Sequence, residues 1–357
     1  MATTSYGVND AEAVKLWSRK LAREALKATY IQKFIGKSSD SLIQLRGDTQ
    51  KGPGDKITTI LRMQLNGDGV EGDGTLEGNE EALTTYTDSV VINQLRHAVR
   101  SAGKMSEQRI PFSVRQEAMD GLKDWFADRW DTAFFNHICG YTPVTDTKFL
   151  AGNAVAGPSS THWIRADNNS TDQALTTYAD DKMDLELIDK AKETAETLSP
   201  MIRPIMVNGE RMYVFFMHPY QATDLRINTN TGQWLDIQKA AMQGGKISNN
   251  PIFTGAMGVY NNVVLHVSTR VTQGVNSSTG AAEAAVRRAV LCGAQACGMA
   301  FGQANGPNQY SWTEELFDYS NQLGVSGGYI GGLKKHQYNS TDFGTVVVST
   351  YATATHA

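Results

Sequence analysis

Residues 55–99 read DKITTILRMQLNGDGVEGDGTLEGNEEALTTYTDSVVINQLRHAV, and this stretch decides how the rest of the chain is understood. In DKITTILRMQL, Thr59, Leu61, Met63 and Leu65 alternate with Ile60, Arg62 and Gln64, the period-two pattern of a half-buried strand. TTYTDSVVINQLRHAV (84–99) is rich in β-branched residues, lacks Gly and Pro, and predicts a second strand. Between them NGDGVEGDGTLEGNEE (66–81) carries six acids and no base. Together these predict a long two-stranded arm with a Gly/acid-rich tip. Such a ribbon buries too little apolar surface to offset its ordering entropy, so it should lie on something else, with a neighbouring subunit the natural candidate and a flexible acidic loop serving only solubility the alternative. Calcium does not explain the tip. An EF-hand loop begun at Asn66 would put Val70 at an oxygen-ligand position and Glu71 where the turn demands glycine.

Outward from the arm, Pro111 and a Ser113/Gln116 capping-box pattern open a strong helix signal. Val114, Ala118, Leu122, Trp125, Phe126, Ala133, Phe134 and Ile138 recur at helical spacing until Gly140 and Pro143, predicting one long helix over 113–139. His137 falls on the apolar side of its last turn and reads as a structural histidine. Residues 140–180, rich in Gly, Thr, Ser and Asn, read as an irregular connector. Asp181 to Leu198 predicts a second amphipathic helix ended by Pro200. Met212–Met217 (MYVFFM) predicts a buried strand, and His218-Pro219 leads into polar helical segments through about Met242. A hairpin turns at Asn261-Asn262, and His266 should point away from the face of Leu265 and Val267. Strands such as Gly344–Ser349 follow. Strands and helices without regular β-α alternation make the fold class α+β.

The whole chain, 357 residues and 39.0 kDa with 41% hydrophobic and 20% charged residues, can bury a core without disulfide or metal, and its length suggests two lobes. No stretch approaches the ~20 apolar residues of a membrane span, and MATTSYGVNDAEAV lacks a signal peptide's blocks. The expectation is a chain made and kept in the cytosol. Cys139, Cys292 and Cys297 fit reduced thiols, and the pair in VLCGAQACGMAFG reads as small buried residues with no nearby histidine to complete a zinc site. The net charge of −4 argues against a dedicated nucleic-acid binder. That average hides an asymmetry: residues 1–40 carry seven basic side chains (Lys15, Arg19, Lys20, Arg23, Lys27, Lys33, Lys37) against four acids.

Catalytic motifs do not emerge. G-x-S-x-G, H-E-x-x-H and a strand-borne G-x-G-x-x-G are absent, and Gly244-Gly245-Lys246 is followed by Ile247 and lacks the upstream glycine of a P-loop. The sequence therefore predicts no enzyme, no cofactor and no metal, with a dispersed site in a soluble α+β enzyme as the outlying alternative.

Taken in order, the segments resemble the tailed-bacteriophage major capsid (head) proteins of the HK97-like fold, in the schitovirus-like branch. The blocks that carry the resemblance are FIGKSSDSLIQ after a basic N-terminal helix, KGPGDKITTILRMQL, GDGVEGDGTLEGNEEAL, IPFSVRQEAMDGLKDWFADRWD, MYVFFMHPYQATDLR, NPIFTGAMGVYNNVVLHVSTRV, VLCGAQACGMAFG and FDYSNQLGVSGGYIGGLKKHQYNSTDFGTVVVST. They span nearly the whole chain and are thinnest over 140–180 and the first dozen residues. The resemblance implies an N-terminal arm (1–45), an extended loop (46–105), a peripheral domain with a long spine helix (106–180), an axial domain (181–300) and a C-terminal segment returning to the core (301–357). It implies assembly as the function: hexamers and pentamers tiling an icosahedral shell of the virion, assembled in the host cytoplasm around double-stranded DNA bound without sequence specificity. Portal, scaffold and decoration proteins are further partners it allows, and no membrane is involved. An encapsulin-like compartment of the same fold is the nearer alternative.

On this reading the acids of the tip, Asp68, Glu71, Asp73 and Glu77, should meet basic partners on another copy, with Arg96, Arg100, Lys104, Arg109 and Arg115 as candidates. Ion pairs of this kind set register more than affinity. Trp17 and Leu21, among apolar positions at helical spacing near the N-terminus, should pack on a neighbouring spine helix, a reading preferred over contact with DNA. Lys51 and Lys56 lie in the arm, yet no motif points to an asparagine with which either would cross-link.

Overall fold

The computed structural model describes residues 20–21, 24–25, 29–46, 54–61, 67–82, 86–111, 113–207, 209–228, 256–302 and 309–354. Among these, two sheets share one long helix. The helix, Val114–Ile138, has 25 residues and is about 37 Å long at ~1.5 Å per residue. Ser113 is its N-cap residue, but the side chain makes no capping bond. The capping box read from sequence does not form, because the Gln116 amide reaches along the helix to Asp120 Oδ2 (3.1 Å) rather than back to residue 113.

In its first half the helix buries one stripe, Ala118, Met119, Leu122 and Phe126; from Trp130 to Ile138 nearly every side is buried. The change reflects two successive surroundings. Leu122 and Phe126 lie against Gly327 of the first sheet, where an added Cβ would crowd the Phe126 ring at 3.1 Å and touch Leu122 at 3.5 Å. Trp130 packs at a tilt on Tyr329 (centroids 4.7 Å) and donates to the Tyr310 hydroxyl (3.0 Å). Beyond that point Phe134 and Phe135 meet Phe216 of the second sheet edge to face, at 5.8 and 5.6 Å. Rings of this size each contribute about 1.5–3 kcal/mol on full burial.

The first sheet runs Ile35–Gly36, Ile43–Arg46, Cys297–Phe301, Gln322–Lys335, Tyr310–Phe317. Asn93–Arg100 pairs with the free edge of Gln322–Lys335, opposite Tyr310–Phe317. The second sheet runs Trp163–Arg165, Thr345–Tyr351, Ala282–Cys292, Glu210–Met217, Val263–Val267, Ala256–Tyr260, with Gln273–Val275 and Ile205–Val207 attached to its flanks. Its strands are buried on both faces. Val214 and Phe216 join the cluster around the long helix, while Tyr213, Phe215 and Met217 join a second cluster with Leu185, Ile188 and Ala191. The period of two thus sends alternate residues to two cores, which is why MYVFFM is apolar throughout. His266 does oppose Leu265 and Val267; it is itself buried, against Phe34 and Phe216.

The second amphipathic helix spans Leu185–Thr197, not from Asp181, because Asp184 caps it by accepting from Leu187 N–H (2.9 Å) and residues 179–181 form a separate 3₁₀ turn. After His218, the helix Pro219–Ile227 is capped reciprocally by His218 and Gln221; the polar segment expected from there to Met242 lies, from residue 229 on, outside the described residues. Asn261 and Asn262, both at positive φ (46° and 60°), make the tight hairpin their sequence predicts.

The stretch 140–180 is more than a connector. Trp163–Arg165 adds a parallel strand beside Thr345–Tyr351, and the buried Asp172 pairs with the buried Arg288 (2.8 Å) and with Arg165 (3.2 Å). Arg288 also donates to the carbonyls of Cys139 and Gly140, at 3.3 and 2.8 Å, covering the C-terminal end of the long helix. The three cysteines are free and buried, and burial pushes each thiol's pKa up, so none is poised as a nucleophile. His137, hydrogen-bonded to the Leu150 carbonyl (2.9 Å), is pushed down to about 4 by burial and stays neutral.

Candidate assembly surface

The arm is a true antiparallel ribbon, Lys56–Leu61 against Tyr86–Val91, in register from Lys56↔Val91 to Leu61↔Tyr86. Residues 62–66, including Met63 and Leu65, lie outside the described residues. The second predicted strand is broken at Ile92, whose N–H donates to the Asp55 carbonyl (2.8 Å). Up to Val91 it pairs within the ribbon; from Asn93 onward it pairs with Gln322–Lys335.

Alternation points Ile57, Thr59 and Leu61 inward and leaves Lys56, Thr58 and Ile60 exposed. The inward face rests on its own subunit. Ile57 and Val90 pack with Ala300 and Ile92, Tyr86 meets Tyr338 at 5.4 Å, and Gln295 donates to the Ile60 carbonyl (3.3 Å). Asn153 clasps Val91, accepting from its N–H (3.0 Å) and donating to its carbonyl (2.9 Å). Gly332 approaches so closely that a Cβ there would sit 2.0 Å from the Val91 carbonyl oxygen.

The centre of this contact is Asp88. It accepts from Lys334 Nζ (2.6 Å) and Gln337 N–H (3.1 Å) and lies 3.4 Å from His336 Nδ1. Burial alone would raise its pKa, but the hydrogen bonds from His336, Lys334 and Gln337 and the Lys334 charge outweigh that and hold the carboxyl well below the usual carboxylate range. Sequence reading missed Asp88, although a carboxylate on the inward alternation of an apolar strand signals a waiting cation. It likewise missed Asp131 on the long helix, which accepts from Tyr30 and Ile31 N–H (3.0 and 3.2 Å) and thereby ties the N-terminal segment down. Burial pushes Asp131 up to about 6 despite those donors.

The tip is the opposite case. Asp68, Glu71, Asp73 and Glu77 are all exposed, as is every described tip residue except the half-buried Val70. Its order is internal: Gly67 N–H donates to Glu81 and Gly78 N–H to Glu80, both at 2.7 Å, and Asn79 closes two turns with Thr75 and Leu76.

The basic candidates separate. Arg96 and Arg100 lie on the face of Asn93–Arg100 turned away from the long helix; Arg100 donates to Gln322 (2.9 Å) and covers the Phe317 ring at 4.2 Å. Arg109 is exposed after the short helix Lys104–Gln108. Arg115 is taken by its own subunit's Glu314 at 2.5 Å. Leu21 is fully buried in this chain's own core, near Leu122, Phe126 and Gly327, which leaves it no surface for a second subunit. Trp17 lies outside the described residues. Thus the structure leaves the four acids, Arg96, Arg100 and Arg109 accessible, and commits Arg115 and Leu21 within the subunit. Among the described residues no cluster of His, Cys, Asp and Glu is arranged to hold a metal, and no helix is long and apolar enough to cross a membrane.

Known proteins share this fold. The chain is 31% identical over 372 residues to the major capsid protein of Pseudomonas phage KPP25, covering 94% of each. Its structure matches the capsid of Ralstonia phage GP4 with a TM-score of 0.80 at 34% identity, covering 99% of both chains. The capsid of cyanophage Pam1 has the same fold, with a TM-score of 0.66 at 20% identity over 92% of this chain and 93% of that one. The family model described as phage capsid protein matches residues 5–354. With that span matched and relatives of this identity covered almost end to end, the chain belongs to the phage capsid protein family, the non-enzymatic major capsid proteins that build the phage head shell on the α+β HK97-like fold.

Proposed function

We propose that this capsid protein closes its shell by reaching a neighbouring subunit with the far end of its extended loop (residues 46–105), so that the acidic tip meets basic side chains of another copy. The observation that carries the proposal is the tip itself: sixteen residues, 66–81, with six acids, whose described carboxylates are either exposed or spent on the tip's own turns. Arg96, Arg100 and Arg109 are the accessible basic partners. Asp68, Glu71, Asp73 and Glu77 supply the charge. Residues 1–45 act as an arm, 106–180 as a peripheral domain, 181–300 as an axial domain and 301–357 as a returning segment. Strands 163–165 and 345–351 belong to the sheet of the axial unit, so its core draws on chain outside 181–300.

In this reading copies form hexamers and pentamers of an icosahedral shell around double-stranded DNA. The net charge of −4 suits a container that holds nucleic acid without binding it specifically. Portal, scaffold and decoration proteins fit the same scheme as partners, and the order of the sequence blocks supports the schitovirus-like branch. A cargo compartment and an enzyme, the alternatives open from sequence, give way to the phage capsid family.

Deleting residues 66–81 tests the proposal. Subunits should fold with unchanged secondary structure, and shells stable in salt should be lost. Normal-sized, salt-stable particles from the deletion, seen by electron microscopy, would exclude a tip contact between copies.

A further inference from the structure

Apolar side chains gather, exposed, at the end of the first sheet farthest along Asn93–Arg100. Tyr319 is fully exposed, Met105 is 67% exposed, and Leu316 and Val99 are 42% and 38% exposed. The fold brings them together. Leu316 pairs with Leu323, whose carbonyl accepts from Ser101 N–H (2.8 Å) across the other edge, and Val99 pairs with Val325. Lys104 N–H donates to Asn321 Oδ1 (3.3 Å), joining the short helix that bears Met105 to the hairpin apex that bears Tyr319. At that apex Asp318, Tyr319 and Ser320 stand at φ of 50°, 48° and 68°, three successive non-glycine residues in the left-handed region. Aromatic and methionine side chains on an exposed apolar patch mark an interaction surface.

The charge around the patch selects its partner. The chain from 96 to 109 carries Arg96, Arg100, Lys104 and Arg109 against Glu107. Across the sheet Glu314 is occupied by Arg115, leaving Glu315 and Asp318. A second identical patch would bring only like surfaces together. The acidic tip is complementary, and at its centre Leu76 stands 61% exposed between Asp73 and Glu77. In chain order the strands 86–91 and 93–100 lead from the tip to the patch, so the two surfaces lie at opposite ends of that course and suit a head-to-tail contact between copies.

We propose that Leu76 is the apolar anchor of the tip and seats on the Val99, Met105, Leu316 and Tyr319 patch of a second copy, with Lys104 and Arg109 receiving the flanking carboxylates. This rests on the reading that the loop reaches a neighbouring subunit, and narrows it to one site. Binding energy in a contact concentrates in a few side chains that are packed into a desolvated pocket and ringed by contacts that exclude water.

Photo-cross-linking of assembled particles tests it, with benzoylphenylalanine replacing Leu76 in copies mixed with ¹⁵N-labelled copies, so that mass spectrometry separates adducts between copies from adducts within one. The expected adduct is between copies, on peptides holding residues 99–109 or 314–323. An adduct elsewhere on another copy overturns this site and leaves the neighbour contact standing; only intrachain adducts, or none, overturn both. As a second measurement, Leu76→Cys with Met105→Cys should give a ladder of disulfide-linked copies that reductant collapses, whereas Leu76→Cys with Tyr178→Cys should not; equal ladders overturn the site.

Discussion

The two ends of one ribbon make opposite use of carboxylates. At its base Asp88 is enclosed by Lys334, His336 and the Gln337 N–H, and the strands around it pack on their own subunit. At the tip Asp68, Glu71, Asp73 and Glu77 face solvent. A buried, hydrogen-bonded carboxylate works for the fold of its subunit, and removing it strands its partners. An exposed one contributes almost nothing to that fold and acts through whatever approaches it. The ribbon is therefore anchored inside the subunit and unsatisfied outside it. Sequence reasoning expected the whole arm to need a neighbour; Lys56–Leu61 and Tyr86–Val91 instead rest on their own subunit, which leaves only the tip for the proposed contact.

The steepest way to break the comparison is at the base. Gly332→Ala would place a Cβ 2.0 Å from the Val91 carbonyl oxygen, a contact with backbone that no side-chain rotation relieves. The expected loss of subunit stability is about 3–4 kcal/mol, with faster hydrogen exchange at residues 56–61 and 86–91. A variant that melts and exchanges like the parent would mean that the ribbon does not rest there.

Asp88→Ala should cost about 2–3 kcal/mol, because Lys334 loses its acceptor in a largely buried contact, while Asp88→Asn should cost less. Chemical denaturation of the three proteins gives the answer. A change below about 0.5 kcal/mol for the alanine variant would put Asp88 in the same class as the tip acids. The Asp88 contact should also weaken in acid. Its folded pKa is depressed, so its contribution is complete above the ordinary carboxylate range, declines as pH falls below that range and is gone once pH reaches the much lower folded value.

The body of the subunit should respond to acid differently. Burial pushes His137 and His218 down to about 4, so the folded state holds fewer protons than the unfolded one and loses stability as pH falls from about 6.5 to 4. Burial pushes Asp131 and Asp224 up to about 6, so the same descent from about 6 gains stability. The pairs oppose each other, and the native subunit should vary little across the window. The double variant Asp131→Asn with Asp224→Asn removes one side, and should lose on the order of 5 kcal/mol between pH 7 and 4.5, from two histidines at about 1.36 kcal/mol per pH unit each. Equal denaturation midpoints at both pH values for that variant would refute the balance.

How much of this was legible depended on whether the cause was local. Alternation through Thr59 and Leu61, the helical stripe from Ala118 to Ile138 and the Asn261-Asn262 turn follow from neighbouring residues, and all three are observed. The break at Ile92 was hidden because composition continues smoothly while the partner strand changes to one more than two hundred residues away. Ser113 and Gln116 had the spacing of a cap, but Asp120 competes for the amide. Leu21 was read as buried at helical spacing, which it is; spacing says nothing about whose surface does the burying. Among the site acids, charge density revealed the tip, whereas a single Asp in an apolar strand needed its distant lysine and histidine to acquire meaning.

The smallest change completes the comparison. Glu71→Gln removes one exposed carboxylate, the same chemical group whose loss at Asp88 is expected to weaken the subunit. Here subunit melting should not move, because among the described residues the exposed Glu71 carboxylate makes no hydrogen bond or ion pair. Its effect should appear in assembly, as a roughly twofold slower rise in light scattering at low salt that fades at high salt, since exposed charges act over about 10 Å at 0.1 M and less beyond. If Glu71→Gln lowered the melting temperature of the unassembled subunit as Asp88→Ala does, tip and base would be one structural unit. If it slowed assembly equally at all salt concentrations, the tip would work through shape rather than charge, and Leu76 rather than its acidic neighbours would set the contact.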